Sequence, residues 1–291
     1  MPILAELVSQ LTNGVILGLI LALVATGFTM VLSVMGIINF AHGFLFALGA
    51  YLALTLQKVT GYWPALLIAP VIVGLFGVLL EQTFIRRLYG KDPLFVLLLT
   101  FGVAMAGEDV IQMIWGKLAY SIAPPELTKG SIDLGFMIYS KYRLFMGAFA
   151  LAAIFAVWLF LSKTPYGAMI RAGSHDSEMV GILGKNLPRI RALVFGLAAA
   201  MAALAGIIAA PLWSVRPQMG LDALLPAFLI VVIGGMGSFW GSILGGLMVG
   251  IANSFAVMFI PRFSDLMMYV LAVGVLLYRP RGLLGTRSVL E

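Results

Sequence analysis

Apolar residues along this chain gather into long unbroken runs, not into the period-2 or period-3.6 stripes of half-buried strands and helices. The runs cover roughly 10–34, 37–57, 63–85, 93–115, 142–162, 191–213, 224–236, 240–260 and 264–278. A helix needs about 20 residues to cross a hydrocarbon core of about 30 Å. Seven of the nine runs reach that length; those at 224–236 and 264–278 fall short. Backbone polar groups have no water to bond in lipid, so isolated strands are excluded and the runs are helices. The pattern predicts an all-α polytopic membrane protein with eight or nine transmembrane helices. Gly and Pro interrupt several runs, so some helices are discontinuous.

Composition agrees. Of 291 residues, 62% are hydrophobic and 10% charged, with a mean hydropathy of +1.08. Soluble domains carry about 25% charged residues, so a water-soluble fold is excluded and residues 1–291 form a single transmembrane domain. The net charge of +6 would suggest nucleic acid in a soluble chain. Here it reflects Lys and Arg gathered on one side of a membrane, and no nucleic-acid partner is expected. If nine runs alternate, eleven of the 18 basic residues fall together: Arg86, Arg87, Lys91, Lys163, Arg171, Lys185, Arg189, Arg191, Arg279, Arg281 and Arg287. That side is expected in the cytoplasm, with the C-terminus inside and the N-terminus outside. A re-entrant run at 37–57 would reverse the N-terminus. Met1 to Gln10 lack the basic segment of a cleaved signal. The stretch 116–141 is the longest outer loop and fits either a short hairpin or an unstructured connection.

Catalytic and metal-binding sets are missing. The chain has no cysteine and two histidines, His42 and His175. No HExxH or GxSxG spacing occurs, and no metal site is expected. Gly181-Ile-Leu-Gly184-Lys185-Asn186 lacks the spacer and the Ser/Thr of a phosphate-binding loop.

Small residues stand four apart at Gly14/Gly18, Gly237/Gly241/Gly245, Gly246/Gly250 and Ala198/Ala202/Gly206/Ala210. Such rows let membrane helices approach closely. Around Pro226 and Gly234-Gly235-Met236-Gly237 the density reads as a broken helix. A second break, Met35 to Gly43, sets Asn39 and His42 beside glycines. Asn39 fits a helix cap, and the segment also fits a discontinuous helix on a translocation path. Met236 to Gly241 echoes it faintly. The candidate substrate path is therefore Asn39, His42, Gly43, Gly235, Gly237, Ser238 and Gly241.

Three carboxylates fall inside runs, where they are rare and usually face the bundle interior. Glu81, near Arg86 and Arg87, is expected to snorkel or pair with an Arg. Glu108 and Asp109 point about 100° apart and are expected to anchor the outer end of their helix or the loop at Lys117.

In the basic loop 163–191, Ser174 is expected to cap a short helix with Asp176 and Glu178 in its first turn. Met179, Ile182 and Leu183 share a face, and Gly184 stops the helix. Such a helix fits a lipid surface or a partner's groove equally well.

The order of motifs resembles a known family. Leu17-Gly18, Gly27-Phe28-Thr29-Met30-Val31, Gly36-Ile-Ile-Asn39-Phe40-Ala41-His42-Gly43 and Leu48-Gly49-Ala50-Tyr51 resemble the N-terminal signature of LivH-type permeases. Thr164-Pro165-Tyr166-Gly167, Arg171-Ala172, Gly181-Ile-Leu-Gly184, Ala203-Leu-Ala205-Gly206, Gly234-Gly235-Met236-Gly237-Ser238 and Arg279-Pro280-Arg281-Gly282-Leu283 continue the match. The resemblance implies an inner-membrane subunit of a branched-chain amino-acid ABC importer. Its partners would be a second, related permease, two cytoplasmic ATPases that alone bind ATP, and a periplasmic binding protein. No cofactor is implied for this chain. The 163–191 loop would couple to an ATPase through Arg171, Ser174, Asp176, Met179, Ile182, Leu183 and Gly184. It shows Arg171-Ala172-Gly173 without the Glu-Ala-Ala triplet of many other importers, as is usual for this family. Related systems carry urea, short amides or other amino acids. The competing reading is an ion-coupled secondary transporter acting through Glu108, Asp109 or His42; a membrane-embedded enzyme lacks a catalytic set.

Overall fold

The computed structural model describes residues 2–133, 135, 138–175, 177–182 and 184–285, excluding the side chains of 2, 175 and 177–179. Its α-helices are α1 (Pro2–Met35), α2 (Ala41–Thr60), α3 (Tyr62–Thr83), α4 (Pro93–Trp115), α5 (Lys141–Lys163), α6 (Pro165–His175), α7 (Ser177–Ile182), α8 (Leu187–Trp213), α9 (Met219–Gly234), α10 (Phe239–Phe259) and α11 (Met267–Tyr278). A short hairpin pairs β1 (Ser131–Asp133) with β2 (Ile138–Ser140), Ile132 opposite Tyr139. The 116–141 loop therefore contains a hairpin. Among the described residues, eight helices are long and apolar enough to cross a membrane, and α9 is a shorter apolar helix. The run boundaries expected from the sequence fall within a few residues of these helices, except that α1, α8 and α9 begin earlier and α2 later.

Inter-helix contacts fix the directions. Along α1 and α10, Gln10 meets Ser254, Gly18 meets Gly246, Thr29 meets Ser242 at 2.5 Å, and Ser33 meets Gly237. The two helices run antiparallel from Gln10 to Ser33 of α1. Glycine allows this: a Cβ on Gly250 would lie 2.3 Å from the Gly18 nitrogen. The α3–α8 pair is built the same way, Gly74 and Gly77 lying against Gly196 and Ala199. One end of the bundle holds β1–β2, the start of α5 and the end of α8, where Tyr120 and Val215 exchange backbone bonds. This is the hairpin end. The basic end holds α6, α7 and the segment after α11.

The bundle is built from two inverted halves. α1 runs to the basic end; the chain turns back, and α2 starts inside the bundle and runs to the hairpin end, where Trp115 bonds Thr55. α8 runs to the hairpin end; the chain turns back at Ser214 (φ 61), and α9 starts inside and runs to the basic end. α3 and α4 continue the first half as α10 and α11 continue the second. α1 packs on α10 as α8 packs on α3, and α2 and α9 meet each other. Inverted repeats around broken helices are a transporter architecture. The sequence echo of 35–43 at 236–241 is not the structural correspondence; the counterpart of 39–43 is 216–220. α1 and α8 are the most buried spans, while α3, α4 and α5 present Leu67, Leu75, Phe95, Leu98, Leu151 and Phe155 outward.

Candidate functional site

α1 ends at Gly36 (φ +66), whose N–H bonds the Leu32 carbonyl. Residues 37–40 then fold back into the bundle, and α2 begins beside the middle of α1. His42 is wholly buried, with Nε2 3.1 Å from the Val24 carbonyl. A carbonyl only accepts, so the proton sits on Nε2, and Nδ1 has no protein partner. The ring meets Phe28 edge-on at 5.7 Å. Val24 lies about three turns from Met35, about 16 Å along the helix, so this break lies at mid-depth in a bilayer.

Asn39 is buried, and neither side-chain atom has a protein partner. It does not cap α2. The cap comes from α4: Thr100, fully buried, accepts the Phe40 N–H at 3.2 Å and donates to the Leu97 carbonyl at 3.1 Å. Gly43 crosses Gly220 in the first turn of α9; a Cβ on either would lie 2.5 or 2.4 Å from the other's carbonyl oxygen. The N-termini of α2 and α9 thus touch at mid-depth with no side chain between them. Beside the crossing lies a cavity of about 210 Å³, walled by α2, α4 and α9, that contains Gly43 and Glu108.

The glycines at 235–241 are placed elsewhere. Ser33 Oγ donates to the Gly237 carbonyl, so this group lies about 13 Å along α1 from His42, at the basic end. Gly235 (φ +101) and Gly237 (φ +87) take left-handed backbone in the α9–α10 turn, and Ser238 caps α10 by accepting the Gly241 N–H at 3.0 Å. A Cβ on Gly241 would lie 2.1 Å from the Gly234 carbonyl oxygen. The segment after α11 closes the α9 end, Leu283 and Leu284 donating N–H to the Ile233 and Gly234 carbonyls at 2.9 Å. The two expected path groups are therefore not one constellation.

At the basic end, the expected single coupling helix is two. Thr164 caps α6 by accepting the Gly167 N–H, and a Cβ on Gly167 would lie 2.2 Å from the Leu161 carbonyl oxygen, so this glycine makes the α5–α6 elbow. Ser174 is not a cap: it sits in the last turn of α6 and donates to the Arg171 carbonyl. Arg171 and Ile182 are exposed, Met179 belongs to α7, and Gly184 (φ +73) ends that segment as expected. Asp176 and Leu183 lie outside the described residues. Asn186 caps α8, accepting the Arg189 N–H.

Glu81 neither snorkels nor pairs with an Arg in a salt bridge. It is fully buried and accepts the Tyr89 hydroxyl at 2.7 Å, while the Arg191 guanidinium stacks on the Tyr89 ring. Burial, with Glu81 beside it, holds the Tyr89 hydroxyl above its ordinary range. Sequence reasoning missed Thr100, Gly220 and Tyr89. A lone hydroxyl in the 93–115 run was the available signal for Thr100; nothing in the chain marked the other two.

The fold is that of PsaBC from Streptococcus pneumoniae in complex with Fab, which aligns with TM-score 0.52 at 12% identity over 94% of each chain. High-affinity branched-chain amino acid transport system permease protein BraD of Pseudomonas aeruginosa is 31% identical, covering 99% of both chains. Permease protein LivH of Escherichia coli is 31% identical over 96% of both. The ribose import permease protein RbsC of Haemophilus influenzae is 25% identical, over 80% of this chain and 72% of that one. The family model for branched-chain amino acid transport system permease components matches residues 10–276, and the chain belongs to that family.

Proposed function

We propose that this chain forms half of the translocation pathway of an ATP-driven importer for branched-chain or related amino acids. The observation that carries the reading is the meeting of α2 and α9 at Gly43 and Gly220. Helices that start at mid-depth present N–H groups and unwound backbone to a solute there, and a close pair of glycines lets them slide. The other half of the pathway comes from a second, related permease. The basic end faces the cytoplasm, since ten of the described basic residues gather there. There α6 and α7 dock on one of two ATPase subunits, and a periplasmic binding protein delivers substrate at the hairpin end. ATP is bound by the ATPases alone, and this chain needs no cofactor.

The test is uptake of radiolabelled leucine into vesicles holding the co-purified complex. Uptake is expected with ATP and loaded binding protein together. Uptake by this chain alone under a proton or sodium gradient would overturn the proposal in favour of ion-coupled transport.

A further inference from the structure

Glu108 was expected to anchor a helix end, yet the structure gives it no such work. Among the described residues it makes no salt bridge; its one side-chain bond is the Gln112 amide at 3.3 Å, and Lys117 does not reach it. It instead lines the mid-depth cavity as its single charged residue, facing Phe40, Phe44, Phe101, Met105 and Leu224. Asp109, the next residue, is exposed. Carboxylates inside a span face a bundle interior or a water-filled path, not lipid. This face of α4 therefore borders the path. A dry cavity of about 150 Å³ takes up benzene, so 210 Å³ has room for a branched aliphatic side chain.

We propose that this cavity is the resting site of the transported amino acid, its aliphatic side chain against the aromatic and aliphatic wall and its ammonium on the Glu108 carboxylate. The first turns of α2 and α9 form the far wall through Gly43 and Gly220. Neither helix is capped by its own N-cap side chain, and Thr100 takes only the Phe40 N–H, so the positive ends of both helices face the zwitterion's carboxylate. Binding is weak because the cavity is open on one side, which suits a site that must release its occupant. This deepens the permease reading and rests on it.

The chain has no cysteine, so a thiol introduced by Ala104→Cys, in the cavity wall, is unique to it. In the complete transporter, the maleimide labelling rate of that thiol is measured on this chain after separation by mass. Millimolar leucine is expected to slow labelling at least threefold. 4-Methylpentanoate, which lacks the ammonium, should give no protection. Adding Glu108→Gln should abolish leucine's protection, and Glu108→Asp should keep it. Leu221→Cys, on the α9 wall, provides the same readout should Ala104→Cys fail to assemble. Equal protection by both compounds, or protection that survives Glu108→Gln, overturns the proposal. No protection by leucine at either thiol, in a complex that still imports leucine with ATP, overturns it while leaving the permease reading intact. Loss of ATP-driven import in the wild-type complex would instead sink the permease reading.

Discussion

The Gly43–Gly220 crossing makes a quantitative demand on the bundle. Gly43→Ala adds one carbon 2.5 Å from the Gly220 oxygen and 3.0 Å from both the Gly220 carbonyl carbon and Leu224 Cβ. Ordinary contact starts near 3.4 Å, so the two helices must part by about 0.9 Å, and two of the three obstacles are backbone that cannot rotate away. Overpacking of this kind costs about 1–3 kcal/mol. Gly220→Ala meets the same obstacle from the other side, at 2.4 Å from the Gly43 oxygen. Once the helices have parted for one methyl, the second needs little more room, so the double variant should cost clearly less than the sum of the singles. Gly102→Ala in α4 is the control. Its Cβ meets nothing within 4 Å, and alanine favours helix by about 1 kcal/mol, so no loss is expected. The assay is the unfolding midpoint of the purified complex at one scan rate, with uptake measured in parallel. Wild-type midpoints for both single variants, or strict additivity in the double, would refute the close crossing.

Four further outcomes follow from the same contacts. Thr100→Val strands the Phe40 N–H and should cost about 1–3 kcal/mol, read as faster hydrogen exchange at Phe40. Gly167→Ala should force open the α5–α6 elbow, leaving membrane insertion normal and reducing ATPase co-purification. Ile182→Asp, on an exposed α7 position, should likewise lower ATPase co-purification if α7 fills a partner's groove; wild-type recovery would return α7 to the lipid surface. Tyr89→Phe removes the donor to buried Glu81 and should lower the midpoint. Because Tyr89 keeps its proton beyond the ordinary range near 10 in the fold, wild-type stability should fall as pH rises past about 10, and Tyr89→Phe should lose that slope.

The spans were legible because lipid imposes length and apolarity on each crossing separately, and no tertiary information is needed to read that. Small-residue rows were legible for the same reason: Gly14, Gly18, Gly246 and Gly250 announce close approach, though not which row meets which. What escaped was pairing. Thr100 serves Phe40 from another helix, and Tyr89 serves Glu81 from a loop, contacts that no local window contains. Ser174 misled because a hydroxyl before acidic residues resembles a cap, while Pro165 and Thr164 had already started the helix upstream. The inverted halves were invisible because backbone geometry, not sequence, relates 39–43 to 216–220.

The antiparallel seam between α1 and α10 sets a schedule for synthesis. Gly18 and the Gly246 it touches are separated by most of the chain. A ribosome adding about 5–20 residues per second leaves α1 without that partner for roughly ten to fifty seconds. During that wait the flat glycine face of α1 lies against lipid or against any other helix nearby. A second nascent copy carries the same face, and two such faces can zip together by the small-residue packing meant for α10. High expression therefore favours pairs of α1 helices over finished bundles, and the membrane insertion machinery must shelter α1 until α10 has been made.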